Sequence, residues 1–439
     1  MQVSVEATGA IARRMTVALP ADRFSSEYAA RIQRLGRSAR MPGFRPGKAP
    51  LKLVEAQYGG RVTEEVLGEL VRASFQEAVS QQGLRIAGDP VFESPSVAPG
   101  QDIRYTATFE VYPQVARLDI AGSSIERPAA SVSDADVERT VQSLRKQRRT
   151  WRTVDRAAAT GDLVTVDYSA AQDGKPVLGL AEQDYAIEIG SGAMLPEFEN
   201  GLIGARAGET RNLGHVLPGE AANTTVNITV KSVQEAVLPD LDAEFARALG
   251  VADGGIERLR ADVRTNLERE MQERIRVRVR DQVFDALVSV NGIEAPTMLV
   301  DEEARRVMLA TREMLVSQGV PAARLPNDWS AFQRSAQRRV VLGIIVGELV
   351  RARGIRPDAA RVRARVETLA QGYESPQEYI DWHFAEAGRL KDLEAQVLED
   401  QVVEALLETA QVTDKAMSFE ELTRPAAPDS QTPQSGASS

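Results

Sequence analysis

Apolar and polar residues alternate along "MQVSVEAT" (1–8), the period of a strand with one buried face. The period then changes. Phe24, Tyr28, Ile32 and Leu35 recur at i, i+4, i+8 and i+11, which is one face of a helix. The stretch "MPGFRPGKAP" (41–50) breaks that helix, because prolines and glycines suit neither a helix interior nor a central strand. It predicts an exposed loop, the kind of segment that often carries function on a rigid scaffold. A second helix is expected from about 63 to 82, with Val66, Leu67, Leu70, Val71, Phe75 and Val79 on one side. "IRYTATFEVYP" (103–113) alternates again. Residues 1–112 therefore read as an α/β unit.

Residues 113–150 read as a connector. Ser133 followed by Asp136 resembles a capping box at a helix start. Val137, Val141 and Leu144 give that helix only a thin apolar stripe, so it needs another surface to lie on. Residues 151–235 change character. "GDLVTVDYSAAQDGKPV" reads as strand, turn at Asp173-Gly174, strand. "TTVNITVKSV" alternates with Val226, Ile228 and Val230 on one side, and "YAIEIGSGAMLPEFENGLIGARAGET" mixes a strand with glycine turns and a short helix. This is a small antiparallel domain. From 236 to 423 the pattern is helical. Ile256, Leu259, Val263, Leu267, Met271 and Ile275 mark a long amphipathic helix. Others are expected near 299–317, 329–353, 358–371, 376–386 and 389–411, with breaks at "NGIEAP", "LPND" and "IRPD". "VVLGIIVGELV" (340–350) reads as a buried helix. Residues 424–439, rich in Pro, Ser and Gln, are expected to be disordered. The fold class is α+β and multidomain: an α/β N-terminal domain, a small antiparallel domain and a mostly α-helical C-terminal domain.

Composition narrows the chemistry. The chain has 439 residues, a prior of about three domains. Hydrophobic residues make up 43% and aromatics only 5%, so the cores rest on Val, Leu, Ile and Ala. There is no cysteine, which excludes disulfides, thiolate zinc sites, iron–sulfur clusters and cysteine nucleophiles. His215 and His383 lie far apart, so a histidine-rich metal site is not expected, and a Ser-His-Asp hydrolase would rest on one of two histidines. No metal and no cofactor is expected. "MQVSVEATGA" lacks a basic region followed by an apolar run, and no apolar stretch approaches the roughly 20 residues that span a bilayer. The expectation is a soluble, cytoplasmic protein with no membrane partner.

The net charge is −10, whereas a general nucleic-acid binder is more often basic. Against that acidic background, seven cations (Arg31, Arg34, Arg37, Arg40, Arg45, Lys48, Lys52) fall between 31 and 52 with no acid among them. Arg31, Arg34 and Arg37 advance by threes and share a helix sector. The loop then presents Phe44, Arg45 and Lys48. One reading is a docking tip for RNA phosphates or an acidic protein patch. The other is a solvated helix face ending in a structural Gly/Pro turn. An aromatic ring in the loop favours the first.

These residues also carry a resemblance. "GFRPGKAP" resembles the G-F-R-x-G-K-x-P signature of the bacterial trigger factor family, with Gly43, Phe44, Arg45, Gly47, Lys48 and Pro50 in place. "MQVSVE", "FEVYP", "PEFENGLIGARAGE" (196–209) and "RRVVLGIIVGELV" (338–350) extend it over nearly the whole chain. Pro46 departs from the pattern, where a lysine is common, and removes one cation from the tip. The resemblance implies a chaperone that docks at the ribosomal tunnel exit, on ribosomal RNA and a tunnel-exit protein, through Gly43, Phe44, Arg45, Gly47 and Lys48. It implies nascent or unfolded polypeptides as clients, no DNA partner, and a weak homodimer away from the ribosome. It also implies that the helical domain sits centrally with two projecting arms around a cradle, and that the isomerase domain lies far from the tip. Met298, Met308 and Met314 suit a cradle that meets varied partners, and suit a core equally.

The same resemblance places 151–235 among FKBP-type prolyl isomerases. Their reaction lowers an X-Pro rotational barrier of about 18–20 kcal/mol that comes from amide resonance. It needs an apolar pocket around a twisted amide, with no acid, base or nucleophile. Tyr168, Tyr185, Met194, Leu195 and Phe198 are the candidate walls. They are also what an ordinary small sheet core would contain. Some features depart from the family. Only "GEAANTT" follows Leu217-Pro218 before Val226, a short flap without tyrosine. Val226 and Val177 stand where aromatics are common, and Pro196-Glu197-Phe198 replaces Pro-Gly-Phe. Weakened isomerase activity is the expectation. Two rivals remain open: an FKBP-type enzyme without ribosome dependence, and an RNA-binding factor working through the basic helix.

Overall fold

The computed structural model describes residues 1–424 except 39–40, 43, 45–46, 94, 96–100, 173–174, 215–223 and 374, with backbone alone at 172, 175–180, 214, 224 and 387. The chain opens with β1 (Gln2–Ala7), β2 (Ala12–Leu19), α1 (Ala21–Ser38), α2 (Leu51–Gln81), β3 (Val91–Phe92) and β4 (Ile103–Glu110). It continues through β5 (Ser124–Ala129), α3 (Asp134–Gln147), β6 (Thr150–Thr153), β7 (Leu163–Gln172), β8 (Lys175–Glu188), α4 (Pro196–Leu202), β9 (Thr210–Gly214) and β10 (Thr224–Val237). Then come α5 (Ala243–Ala248), α6 (Ile256–Asn291), α7 (Thr297–Ser317), α8 (Gln333–Arg353), α9 (Ala359–Ala370), α10 (Pro376–Phe384), α11 (Lys391–Leu407), β11 (Gln411–Ala416) and α12 (Phe419–Thr423). Two compact units result: 1–127 with 277–414, and 128–276 with 415–439.

In the first unit, β1, β2, β4 and β3 form an antiparallel sheet in that order. Its alternation is the sequence's own: Ile103, Tyr105, Ala107 and Phe109 point inward from β4, opposite Met15, Val17 and Leu19 of β2. Val71, Phe75 and Ala78 of α2 cover that face. Each such fully buried large apolar side chain is worth about 1.5–3 kcal/mol.

The helix expected from about 63 starts at Leu51 instead. Its buried face runs on through Val54, Gly59, Val62 and Val66. Large apolar residues are sparse there because α1 comes too close to need them. A Cβ on Gly59 would lie 2.8 Å from the Tyr28 hydroxyl, and one on Gly36 would lie 2.9 Å from Leu51 Cδ2. The glycines let α1 and α2 pack as a tight hairpin around Ile32, Val62 and Val66.

The same unit holds α7 to α11 and the second half of α6. Val341, Ile345 and Leu349 make a buried stripe on α8, while Val340, Leu342, Ile344 and Val346 are half-buried and Gly343 and Gly347 exposed. The segment expected to be a buried helix is thus buried on one face only. The long helix marked by Ile256 to Ile275 runs to Asn291, at the break expected in "NGIEAP", with Val279, Val283 and Leu287 carrying its apolar stripe to the end. The segment expected as one helix over 389–411 is a 3-10 turn (Ala387–Leu390), α11, and then a strand, β11, that pairs with β5. Helical periodicity carried no sign of that strand. On α7, Met298 and Met314 are exposed and Met308 half-buried. Among the described residues no helix is long and apolar enough to cross a membrane.

In the second unit, β6, β10, β7 and β8 form an antiparallel sheet in that order, with β9 also on β10. Val164, Val166, Ile187, Val226, Ile228, Val230 and Leu202 of α4 are its core. The Asp173-Gly174 turn lies outside the described residues. A capping box between Ser133 and Asp136 starts α3. Val137 and Val141 of α3 pack with Phe245, Leu259, Val263 and Leu267, so the thin stripe finds its surface on α5 and the first half of α6.

Candidate functional site

Three aromatic rings meet over one face of the second unit's sheet. Tyr168 projects from β7, Tyr185 from β8 and Phe198 from α4. The Tyr168 and Tyr185 rings are 5.7 Å apart at 80°, and Tyr168 and Phe198 are 5.8 Å apart at 85°. Both are edge-to-face contacts, which the ring quadrupoles favour. Phe198 is buried, and Tyr168, Tyr185 and Met194 pack half-exposed against the same core. The Tyr185 hydroxyl lies 3.9 Å from the Met194 sulfur. Leu195 stands exposed just before α4. Burial pushes the Tyr168 phenol up, and Glu182, 3.3 Å from its hydroxyl, adds to the effect. The phenol stays neutral, so the described part of the cluster presents apolar ring surface and the hydroxyls of Tyr168 and Tyr185. Val226 is buried in the core beneath. His215 and residues 217–223 of the short flap lie outside the described residues, as does the Val177 side chain.

A bulge aims the second ring. The β7–β8 register runs Val166 opposite Tyr185, then Tyr168 opposite Glu182. Between them Asp184 takes φ 55°, a left-handed conformation costly for a residue with a side chain. Its N–H donates to Asp167 at 2.8 Å, and Lys231 bridges Asp184 at 2.7 Å and Asp167 at 3.1 Å. The Asp184 N–H, then Lys231, hold the Asp167 carboxyl below the usual range. Tyr185 thereby shares the face of Tyr168. Pattern reading found both tyrosines and missed this support, since three charged residues on an exposed face read as solvated.

Glu199 was missed as well. Its carboxylate is buried and accepts the N–H groups of Gly190 at 2.8 Å, Met194 at 3.0 Å and Gly192 at 3.3 Å, with the Ser191 hydroxyl at 3.5 Å. These donors, the Met194 N–H foremost, hold it below the usual carboxylate range. The only available signal was a glutamate four residues into a helix that follows "GSGAML".

The second candidate is the hairpin tip between α1 and α2. Phe44 is 40% exposed, and its N–H donates to Met41 O at 3.1 Å. Gly47 takes φ 78°, and a Cβ there would lie 3.0 Å from Arg37 O, so this position needs glycine. Gly43, Arg45, Pro46 and Arg40 lie outside the described residues. Lys48, Lys52, Arg34 and Arg37 are exposed, with no acid within ion-pair range among the described residues. Arg31 differs: it pairs with Glu69 of α2. The seven cations without an acid were a property of the segment, and the hairpin returns one acid from the other helix.

In the first unit a cavity of about 890 Å³ is lined by Tyr112, Phe284, Leu299, Leu342 and Ile344, among others, with Arg85 paired to Glu348 at its wall.

A sheet with a short helix over its aromatic face, in a chain that also has an α/β part and a helical part, defines a multidomain protein with an FKBP-type domain. Residues 154–219 match the FKBP-type peptidyl-prolyl cis-trans isomerase family, 1–144 match the bacterial trigger factor protein (TF), and 255–408 match the bacterial trigger factor protein (TF) C-terminus. The chain belongs to the trigger factor family. It is 40% identical over 432 residues to the trigger factor of Thioalkalivibrio sulfidiphilus, covering 97% of this chain and 98% of that one. It is 40% identical to that of Laribacter hongkongensis, covering 96% and 99%. A solved trigger factor chaperone, described for promiscuous substrate recognition in folding and assembly, is similar at 18% identity and a TM-score of 0.46, over 93% of this chain and 99% of that one. In coarse terms the protein is a chaperone of that family that carries an FKBP-type domain.

Proposed function

We propose that this chaperone docks at the ribosomal tunnel exit through the hairpin tip, with Gly43, Phe44, Arg45, Gly47 and Lys48 as the contact, and works in the cytoplasm. The observation that carries this reading is an exposed Phe44 ring beside cations that no acid neutralises among the described residues. Ribosomal RNA and an acidic tunnel-exit protein supply the complementary charge. The test is co-sedimentation with ribosomes. The pair Phe44→Ala with Arg45→Ala removes a ring contact and a charge-assisted contact, the latter worth about 1.5–3 kcal/mol. Binding is expected to fall at least tenfold, and to weaken as salt rises in the unaltered protein. Near-unaltered sedimentation of the double variant would sink the reading. In this assignment 1–112 is the ribosome-binding domain, 113–150 a connector, 151–235 the isomerase domain, 236–423 the chaperone domain and 424–439 a tail. Exposed Met298, Leu309, Met314 and Val316 of α7 are the surface offered to unfolded chains.

A second activity is favoured by the ring cluster: prolyl isomerisation at Tyr168, Tyr185, Met194, Leu195 and Phe198. The rings desolvate the twisted amide from one side. By its length in sequence, seven residues between Pro218 and Val226, the flap is expected to leave the other side to water, so weak activity is expected. A loss of about 3 kcal/mol in barrier lowering is roughly a hundredfold in rate. Proline-limited refolding measures it. Acceleration equal to that of an intact FKBP-type enzyme would show that the flap does not matter.

A further inference from the structure

The isomerase reading gives no part to Glu199, a buried carboxylate of the FKBP-type domain. Glu199 has no cationic partner among the described residues, and its charge is met by backbone N–H groups and a hydroxyl. Burying an unpaired charge is costly, and a carboxylate that accepts several N–H bonds offsets that cost only while the loop keeps its shape. We propose that Glu199 is a positioning residue for the prolyl pocket: its carboxylate clamps residues 190–194 and so holds Met194 against Tyr185. This inference rests on the isomerase reading of that pocket.

The loop's two ends are fixed without Glu199. At the start, the Ile189 N–H donates to Asp162 O at 3.0 Å, and Gly190 sits at φ 88° where a Cβ would lie 2.7 Å from the Thr160 methyl. At the other end Phe198 is in the core. Between them the chain must turn through Gly192 at φ 72° and return to α4. The Met194 N–H donates to Glu199 Oε1. The Gly190 and Gly192 N–H groups donate to Oε2. Each carboxylate oxygen therefore holds a different part of the turn. Met194 touches Tyr185, and Tyr185 packs edge-on against Tyr168. A loosened turn would thus reach the rings through Met194.

Glu199→Gln tests this. The side chain keeps its length but has one acceptor oxygen, and its NH2 group would face an N–H donor. The domain is expected to stay folded, with circular dichroism unchanged. The amides of Gly190, Gly192 and Met194 should exchange hydrogen at least about tenfold faster, the signature of local opening. In peptide isomerisation KM should rise about fivefold or more with kcat within about twofold, because a wall that binds substrate and transition state alike is lost. Met194→Ala should raise KM while leaving exchange at Gly190 and Gly192 slow. A Glu199→Gln protein with unaltered exchange or unaltered KM would overturn the proposal. If the unaltered protein isomerises nothing, binding of a proline-containing peptide is measured instead. Binding weakened by Glu199→Gln keeps the clamp and rejects only the isomerase reading. Binding that the variant leaves unchanged, or no binding at all, overturns both.

Discussion

The hairpin tip and the ring cluster carry the two candidate activities, and they are built in opposite ways. The tip is one run of chain, from Arg34 to Lys52, in which Arg34, Arg37, Lys48 and Lys52 have no acid within ion-pair range among the described residues, and on the proposed reading they act by being left unpaired. What it requires of the fold is a stiff support, which Gly36 and Gly59 supply by letting α1 and α2 pack closely. The ring cluster draws Tyr168, Tyr185, Met194 and Phe198 from β7, β8, a loop and α4, and each group acts by what it touches. Its shape depends on a bulge held by Asp167, Asp184 and Lys231, and on a loop held by Glu199. A docking tip is thus robust to changes in the core and sensitive to single exposed residues. A pocket assembled from several elements is sensitive to both.

Phe198→Ala should separate the two most sharply. It empties a buried aromatic site, at a cost of about 3–5 kcal/mol. Melting of the FKBP-type domain should drop and isomerisation should vanish, while ribosome co-sedimentation stays as before. Loss of co-sedimentation would show that the tip depends on the pocket's domain after all.

A smaller effect should come from acid. Backbone N–H bonds or nearby arginines hold Glu199, Glu209 and Glu235 below the usual carboxylate range. For Asp162 burial acts upward, but Arg156 and the Ala159 N–H outweigh it and the net shift is also down. A lowered folded pKa stabilises the fold above the unfolded value and loses that contribution as pH falls through the folded one. Domain melting should therefore be level from pH 7 to 5 and decline below about 4, the unfolded carboxylate range. A decline beginning above pH 6 would contradict these assignments.

The smallest effect concerns Glu69→Ala. The Arg31–Glu69 pair is largely solvent-exposed on its acid side, and such pairs are worth about 0–1 kcal/mol. Stability should barely change. Ribosome association should tighten slightly and its salt dependence steepen, because Arg31 is released to join the other cations. An unchanged salt slope would mean that Arg31 does not face the ribosome.

The difference in build explains what the sequence showed. Every exposed cation of the tip, and the Phe44 ring, stood in one segment and needed no partner to be recognised. The two tyrosines, Met194 and Phe198 could be singled out by type, yet nothing local tied them together. Asp167 and Asp184 sit seventeen residues apart and meet Lys231 only because β7 lies between β8 and β10. Leu51 as a helix start escaped notice because the face it continues is made of Gly59 and Val54 rather than large side chains. The pairing of Arg31 with Glu69 escaped because the acid lies on the other helix of the hairpin.

By itself the sequence determined most of the elements, the division into an α/β part, an antiparallel part and a helical part, the absence of thiol chemistry, and the run of cations around Phe44. These depend on local periodicity, turn-forming residues and charge, which neighbours along the chain settle. Only the tertiary structure decided which of those cations keeps its charge free, how Asp184 in a left-handed turn aims Tyr185, and that Glu199 closes on a loop of backbone N–H groups. Those outcomes rest on strand register and close helix contact, where groups distant in sequence come within hydrogen-bond range, and no local pattern records which ones will meet.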